Sequence, residues 1–332
     1  MHIRLSRNTA TNLNDWGNGR LMGKSCILIT NDVETTSILN HKLRDRTAEY
    51  LLTQGMPQLL DLYEEYNIKT TFFFTGYVAQ LKPALVKMAS DKGHEIASHG
   101  LRHKVNDAFD VLPLKTQIDH LQQSRKILED ICGTEVISFR APAARVNYDL
   151  PIALEESGYK IDSSVSSQRL DMMFSFGSIK KLNWIFAPRM PYFVKRENIF
   201  KKGNSSILEI PISAFGFPYI GTFMRICPAL NRLTRMALYM ETMMNNRPIT
   251  FVIHPNEFID EDREEGAIER RVTNLFSYLM GDVVRHKLKV RNLGAKALPL
   301  LEQELAFFSK RHFNFIRCRD FYDLRKKNLQ QF

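Results

Sequence analysis

Cys26-Ile27-Leu28-Ile29-Thr30-Asn31-Asp32-Val33-Glu34 is the stretch from which the rest of the chain can be organised. Residues 26–30 form a short, continuous apolar run rich in branched side chains. Such a run suits a strand buried on both faces, as in a parallel sheet. It ends on two carboxylates, Asp32 and Glu34, spaced i and i+2. In open α/β sheets and β/α barrels, chemistry sits just beyond the C-terminal ends of such strands. A turn or a helix cap would use the same residue types, so the pattern has to recur to carry weight.

It does recur. Helical spacing follows from about Leu43 to Tyr66, with a bend expected near Gly55-Met56-Pro57. Lys69 to Gly76 reads as a second buried strand, and Pro83 to Lys92 as a helix stopped by Gly93. His94 to Ser98 is a third strand. A helix over about 114–131 then precedes a strand at 136–139, and one over 149–157 precedes Tyr159-Lys160-Ile161. Further strands are expected at 207–212, 249–253 and 313–316, with helices around 268–286 and 297–310. Alternation of strand and helix predicts a parallel α/β architecture. Several strand ends carry polar residues, and a barrel would gather them at one rim.

The third of those ends is Ser98-His99-Gly100-Leu101-Arg102-His103, with two imidazoles at i and i+4. Residues at that spacing share a face if the turn is helical. Converging imidazoles suit zinc, cobalt, nickel or iron far better than calcium or magnesium. With nine histidines in 332 residues, the pair alone says little and needs a third ligand from elsewhere.

Composition sets outer bounds. A chain of this length with 44% hydrophobic and 25% charged residues can bury a large core, and it has no apolar run long enough to span a bilayer. Residues 1–23 carry turn-formers and no periodicity, so a loosely packed lead-in is expected, followed by one catalytic domain over 24–332. The N-terminus lacks a signal peptide's apolar core, which points to a cytoplasmic protein, with membrane association as a second expectation. Cys26, Cys132, Cys227 and Cys318 form no CxxC pair and read as reduced thiols. The net charge of +10 is scattered and accompanies no nucleic-acid motif, so no nucleic-acid partner is expected.

Five segments taken together resemble the ordered motifs of the polysaccharide deacetylases, the NodB-homology group or carbohydrate esterase family 4. They are Thr30-Asn31-Asp32-Val33-Glu34, Ser98 to His103, Phe139-Arg140-Ala141-Pro142, Asp162-Ser163-Ser164 and Val252-Ile253-His254-Pro255. The likeness runs over roughly residues 25 to 325. Leu208 to Ser213 and Gly221 to Pro228 look like features of its bacterial glycan-biosynthesis branch. Val33 separates the two carboxylates, whereas the commoner first motif has adjacent Asp residues. Ala143 also stands where an aromatic is frequent, which would widen the pocket.

The resemblance implies a distorted (β/α) barrel of about seven parallel strands. It implies one divalent metal ion held by Glu34, His99 and His103, with zinc the first expectation and cobalt, nickel, manganese or iron as alternatives. Asp32 would be the general base that activates a water, and Arg140 would hold it ionised and oriented. The backbone N–H of Ala143 would help hold the oxyanion, and His254 would protonate the leaving amine, on the opposite side of the ion from the base. Asp162 would tune His254. The activity implied is removal of an N-acetyl group from an acetamido sugar of a polysaccharide or glycan precursor. Two alternatives stand beside it. One is hydrolysis of another amide on the same scaffold, such as a lipid-linked formamido sugar or a ureide. The other is sugar binding without catalysis.

The segment 214–246 is apolar and Met-rich, with Arg225, Arg232 and Arg235. An ordinary amphipathic helix packed on the barrel is the first expectation. The other is a surface that meets a lipid-linked substrate at a membrane.

Overall fold

The structure, a computed structural model, describes residues 25–38, 43–168, 183–261, 288 and 290–329. The lead-in expected over residues 1–23 and the helix expected over 268–286 lie outside them.

From β1 (Cys26–Val33) the chain passes through α1 (Asp45–Tyr50) and α2 (Met56–Glu65) to β2 (Thr71–Phe74). Then α3 (Gly76–Leu81) and α4 (Pro83–Asp91) lead to β3 (Glu95–Ser98), α5 (Leu114–Cys132) to β4 (Ser138–Phe139), and α6 (Leu150–Glu156) to β5 (Ile161–Asp162). After α7 (Asn183–Phe186) the rhythm breaks for a hairpin of β6 (Tyr192–Lys195) and β7 (Asn198–Lys202), before β8 (Leu208–Glu209). A small pair, β9 (Ala214–Phe215) and β10 (Phe217–Pro218), precedes α8 (Gly221–Ile226) and α9 (Pro228–Asn245). The chain ends through β11 (Ile249–Ile253), α10 (Leu298–Ser309), β12 (Asn314–Phe315) and α11 (Cys318–Leu329).

Strands β11, β1, β2, β3, β4, β5 and β8 lie side by side in that order, all parallel, which is the seven-strand arrangement expected. The sheet curls. Just past β8, Ser213 N–H donates to Thr250 O at 3.1 Å, and Thr250 N–H donates to Ser213 Oγ at 2.9 Å, drawing the two ends of the curl together. Beyond β8 the antiparallel hairpin β6–β7, absent from the sequence reading, extends the edge.

Alternation along the strands sorts side chains between two cores. Ile27, Ile29, Val33, Phe72, Phe74 and Phe139 face the surrounding helices. Leu28, Phe73, Ala97, Ile161 and Leu208 fill the inside of the curl with Ile316, Cys318 and Phe321. The last of these residues belong to α11, which the sequence reading also missed. Its start is pinned at the N-terminal ends of the strands. Cys318 N–H donates to Thr71 Oγ1 at 2.9 Å, and Arg319 N–H donates to the buried carboxyl of Glu95 at 3.0 Å. Burial pushes the Glu95 pKa up, despite donations from Ser138 and Thr71 hydroxyls. With that end plugged, only the C-terminal rim is left for a site.

The expected long helix over 43–66 is interrupted by a π-helical turn, Leu51–Gly55, at the position where a bend was expected. Gly55 allows a close approach: a Cβ there would sit 2.5 Å from the carbonyl oxygen of Pro255. The helix thus supports the loop that follows His254. Gly55→Ala should push that loop away and cut turnover about tenfold or more, through misplacement of a reacting group. A kcat loss larger than the accompanying KM change, with the circular dichroism spectrum retained, is the expected outcome.

The four cysteines are unbridged, as expected. Among the described residues, no helix is long and apolar enough to cross a membrane.

Candidate active site

Glu34 follows the end of β1, His99 follows the end of β3, and His103 lies in the loop beyond it. The structure brings ligand atoms of all three within 4.8 Å of one another. Glu34 and His99 are buried and His103 is half-buried. His99 Nδ1 lies 2.8 Å from the carbonyl oxygen of Arg140, so that nitrogen carries the proton and Nε2 keeps its lone pair. The two imidazole rings are 5.7 Å apart and tilted by 38°.

His103 Nε2 approaches Glu34 Oε2 to 2.9 Å. That buried oxygen nevertheless makes no hydrogen bond of good geometry. A buried carboxylate oxygen left without one is costly unless a cation is present. Burial opposes ionisation of Glu34, but His103 and the neighbouring imidazoles outweigh it and hold the pKa down at about 2. Burial lowers the His99 pKa to about 4. For His103, the adjacent Glu34 carboxylate overcomes burial and raises it. Two imidazoles and one carboxylate with a further position open are the donor set of a hydrolytic zinc-type site, so the residues fit the ion expected of them.

Asp32 sits on the inner face of β1, beside this cluster. Its Oδ1 accepts from Arg140 Nη1 at 2.7 Å. Arg140 is itself fully held: Nη1 also donates to Thr30 Oγ1, Nε to Ser163 O, and Nη2 to Ser163 Oγ, all within 2.9 Å. Its guanidinium lies 4.3 Å from the centre of the Phe73 ring. Burial alone would raise the Asp32 pKa, but Arg140, His99 and His254 more than offset it and keep the carboxylate ionised. The expected Asp32–Arg140 pair is therefore present, within a buried network.

His254 follows the end of β11, and its Nε2 lies 3.9 Å from Asp32 Oδ2. The expected acid and base thus lie side by side at the rim. Parallel pairing of β11 with β1, which sets Asn31 against Ile253, brings both residues to the same end of adjacent strands.

The role expected of Asp162 needs correcting, because it does not meet His254. In β5 it pairs directly with Phe139, whose ring packs in the helix-facing core, and with Glu209 on the other side. Neighbours in register point to the same face, so Asp162 points away from the inner face that carries Arg140. The next residue, Ser163, is the one that reaches Arg140. Asp162 accepts instead from Ser164 Oγ at 2.6 Å and faces the Glu209 carboxyl. Burial raises both pKa values, Glu209 well above the usual range, where the Asp162 charge adds to the effect.

Acids whose folded pKa is raised contribute stability that is present below their unfolded pKa of about 4 and lost as pH rises through the folded value. Glu209→Gln should therefore raise the melting temperature at pH 8 by a few degrees and flatten its dependence on pH. About 1 kcal/mol would give a shift of roughly 2–4 °C in a chain this large. Asp162→Asn should act on the same stability profile and change kcat little, whereas a tuning role would collapse kcat.

Ala143 lies in the turn after Arg140 with φ 53° and ψ 19°, followed by Ala144 at φ 51°. Two consecutive left-handed L-residues cost roughly 1–2 kcal/mol each. The turn is held by Ala141 N–H donating to Ser164 Oγ at 2.8 Å and by the close approach of Pro142 to Gly100. Strain of this kind persists where the surroundings over-determine it, often at functional sites.

A cavity of 140 Å³ opens beside these groups, lined by Glu34, Thr36, His254, Thr222, Arg225 and Glu257 among others. Neither Glu257 nor Arg225 carries an expected role from the sequence. Both are fully buried and paired at 3.1 Å. Glu257 also accepts from Thr222 Oγ1 at 2.6 Å and from the His254 backbone N–H at 3.4 Å. It braces the turn that carries His254. The available signal was a glutamate three residues beyond His254 and a lone arginine within an apolar stretch.

Comparison with known proteins agrees with this geometry. Residues 24–161 match the family model described as polysaccharide deacetylase, a span that holds Asp32, Glu34, His99, His103 and Arg140. The chain is 34% identical over 104 residues to the peptidoglycan-N-acetylglucosamine deacetylase of Bacillus cereus, covering 31% of this chain and 47% of that protein. It is 30% identical over 122 residues to the peptidoglycan deacetylase-like protein FGM2 of Gibberella zeae, covering 36% and 35%. These matches span about a third to a half of the relatives' length. Among solved structures, Puue allantoinase superposes with a TM-score of 0.54 at 15% identity, covering 95% of this chain and 96% of that one, a likeness of fold. Strand order, rim cluster and family match agree: over residues 24–161 this chain is similar to the polysaccharide deacetylases.

Proposed function

We propose that this protein is a metal-dependent N-deacetylase that removes the acetyl group from an acetamido sugar of a glycan and releases acetate. One observation carries the reading: a Glu34–His99–His103 cluster, with Glu34 and His99 buried and His103 half-buried, beside a carboxylate held ionised by Arg140 and an imidazole 3.9 Å from that carboxylate. The kind of substrate is suggested by the relatives, which are named as peptidoglycan and chitin deacetylases.

Glu34, His99 and His103 would hold the ion, which supplies Lewis acidity at the amide carbonyl and lowers the pKa of water. Asp32 accepts a proton from the attacking water, and Arg140 keeps its carboxylate aimed at that position. His254, in its imidazolium form, donates a proton to the amide nitrogen as the C–N bond breaks, because an unprotonated amine leaves poorly. The Ala143 N–H, in its strained turn, is the proposed hydrogen-bond donor to the oxyanion.

The test is mass spectrometry of products after incubating zinc-loaded protein with a panel of acetamido sugars and their oligomers. Loss of one acetyl group with matching acetate is expected. Product only from a formamido sugar or a ureide added to the panel, as formate or ammonia, would assign another amide. No product from any member, with metal bound, would leave sugar binding alone.

A further inference from the structure

Helix α9 is turned the unexpected way round. Its buried residues are Asn231, Thr234, Leu238 and Thr242, of which all but one are polar. Asn231 Nδ2 and Arg235 Nη1 donate to Glu304 Oε1 at 3.1 and 3.0 Å, so polar contacts fix this face to the body, while Thr242 Oγ1 donates locally to the carbonyls of Leu238 and Arg247. The outward face carries Leu233, Met236, Met240, Met243 and Met244, exposed by 41% to 83%. Steps of three and four make them one continuous stripe along the helix. Single exposed apolar residues are ordinary, but a contiguous stripe marks a contact surface.

The surrounding charge indicates what covers it. No acidic residue lies among the exposed positions of α9. Arg189 and Arg247 converge on Glu241, Arg235 meets Glu304, Arg232 is exposed at the start of the stripe, and Arg311 lies over the Tyr239 and Phe307 rings. Arg189, Arg235 and Arg247 are largely buried in these pairs, which leaves Arg232 and Arg311 as the exposed arginines beside the apolar face, on a chain of net charge +10. A second copy would bring the same positive charge against itself. We propose that α9 docks on an anionic phospholipid surface. The helix lies in the interface plane, with the Leu and Met side chains in the acyl boundary and Arg232 and Arg311 among the phosphates. Among the described residues no helix can cross a bilayer, which agrees with contact at the interface.

Co-sedimentation with phosphatidylcholine vesicles, with and without phosphatidylglycerol, tests this on the full chain. The wild type should bind the anionic vesicles, less so as salt rises. Met236→Glu with Met240→Glu should weaken binding about tenfold or more, since each added negative charge is repelled by the anionic surface. Both positions face solvent, so the melting temperature and acetate release from a soluble acetamido sugar should stay unchanged. Equal sedimentation of variant and wild type overturns the proposal, as does failure of the wild type to bind anionic vesicles. A dimer in light scattering that the variant dissociates would assign the face to a second copy instead.

Discussion

Asp32→Asn is expected to lower kcat/KM for acetate release by about 10²–10⁴-fold, the usual contribution of a positioned general base. At about 1.4 kcal/mol per decade this is roughly 3–6 kcal/mol of lost transition-state stabilisation. The asparagine keeps the size of the side chain, and its amide oxygen can still accept from Arg140, now at 2.7 Å. It cannot take a proton from water. Metal content by atomic absorption should stay near one ion per chain, because Glu34, His99 and His103 are untouched. That separation matters: a fall in both activity and metal would make Asp32 a ligand rather than the base. Unchanged activity would remove it from the reaction altogether. Arg140→Met should be costlier to the fold. Breaking a buried ion pair on one side costs about 3–5 kcal/mol, since the remaining charge is stranded.

His103→Ala should abolish activity by the other route, through loss of the ion. His103 is the least buried of the three expected ligands, so its removal leaves the core intact. The wild type should lose turnover on chelation, regain it with zinc, and gain thermal stability when zinc is added to the metal-free protein. A ligand in hundredfold excess over its Kd adds about 2.7 kcal/mol. In the variant, added zinc should neither shift the melting temperature nor restore turnover. A variant still binding zinc stoichiometrically, with the wild-type melting shift, would refute the assignment of His103.

How much of this was legible in the chain depends on how local each feature is. The β1 run and the carboxylates behind it, and the two histidines after β3, are properties of a few adjacent residues, and the structure places them as expected. The C-terminal ends of helices were legible for the same reason. Gly133 ends α5 with φ 69°, a conformation an L-residue resists. The hairpin β6–β7 was missed because its apolar runs, Tyr192-Phe193-Val194 and Ile199-Phe200, are short and its exposed side carries charge. Helix α11 was missed because its sequence is strongly polar, and its place depends on Glu95 and Thr71, more than two hundred residues earlier.

The sequence by itself determined the alternating α/β plan, which follows from residue type and short-range period, whereas Glu34, His99 and His103 as ligands and Asp32 as base were expected from the family resemblance. Tertiary structure decided everything that turns on which face a residue takes. A strand's period is two, so a shift of one residue moves a side chain across the sheet. Asp162 thereby faces Glu209 on the outer side, while Ser163 reaches Arg140 within. By the same geometry, adjacent parallel strands bring His254 against Asp32 from 222 residues away in sequence. Pattern alone could not orient α9 either. Its Met-rich stripe satisfies helical spacing equally well inward or outward, and it is the long-range contact of Asn231 with Glu304 that holds the polar face inward.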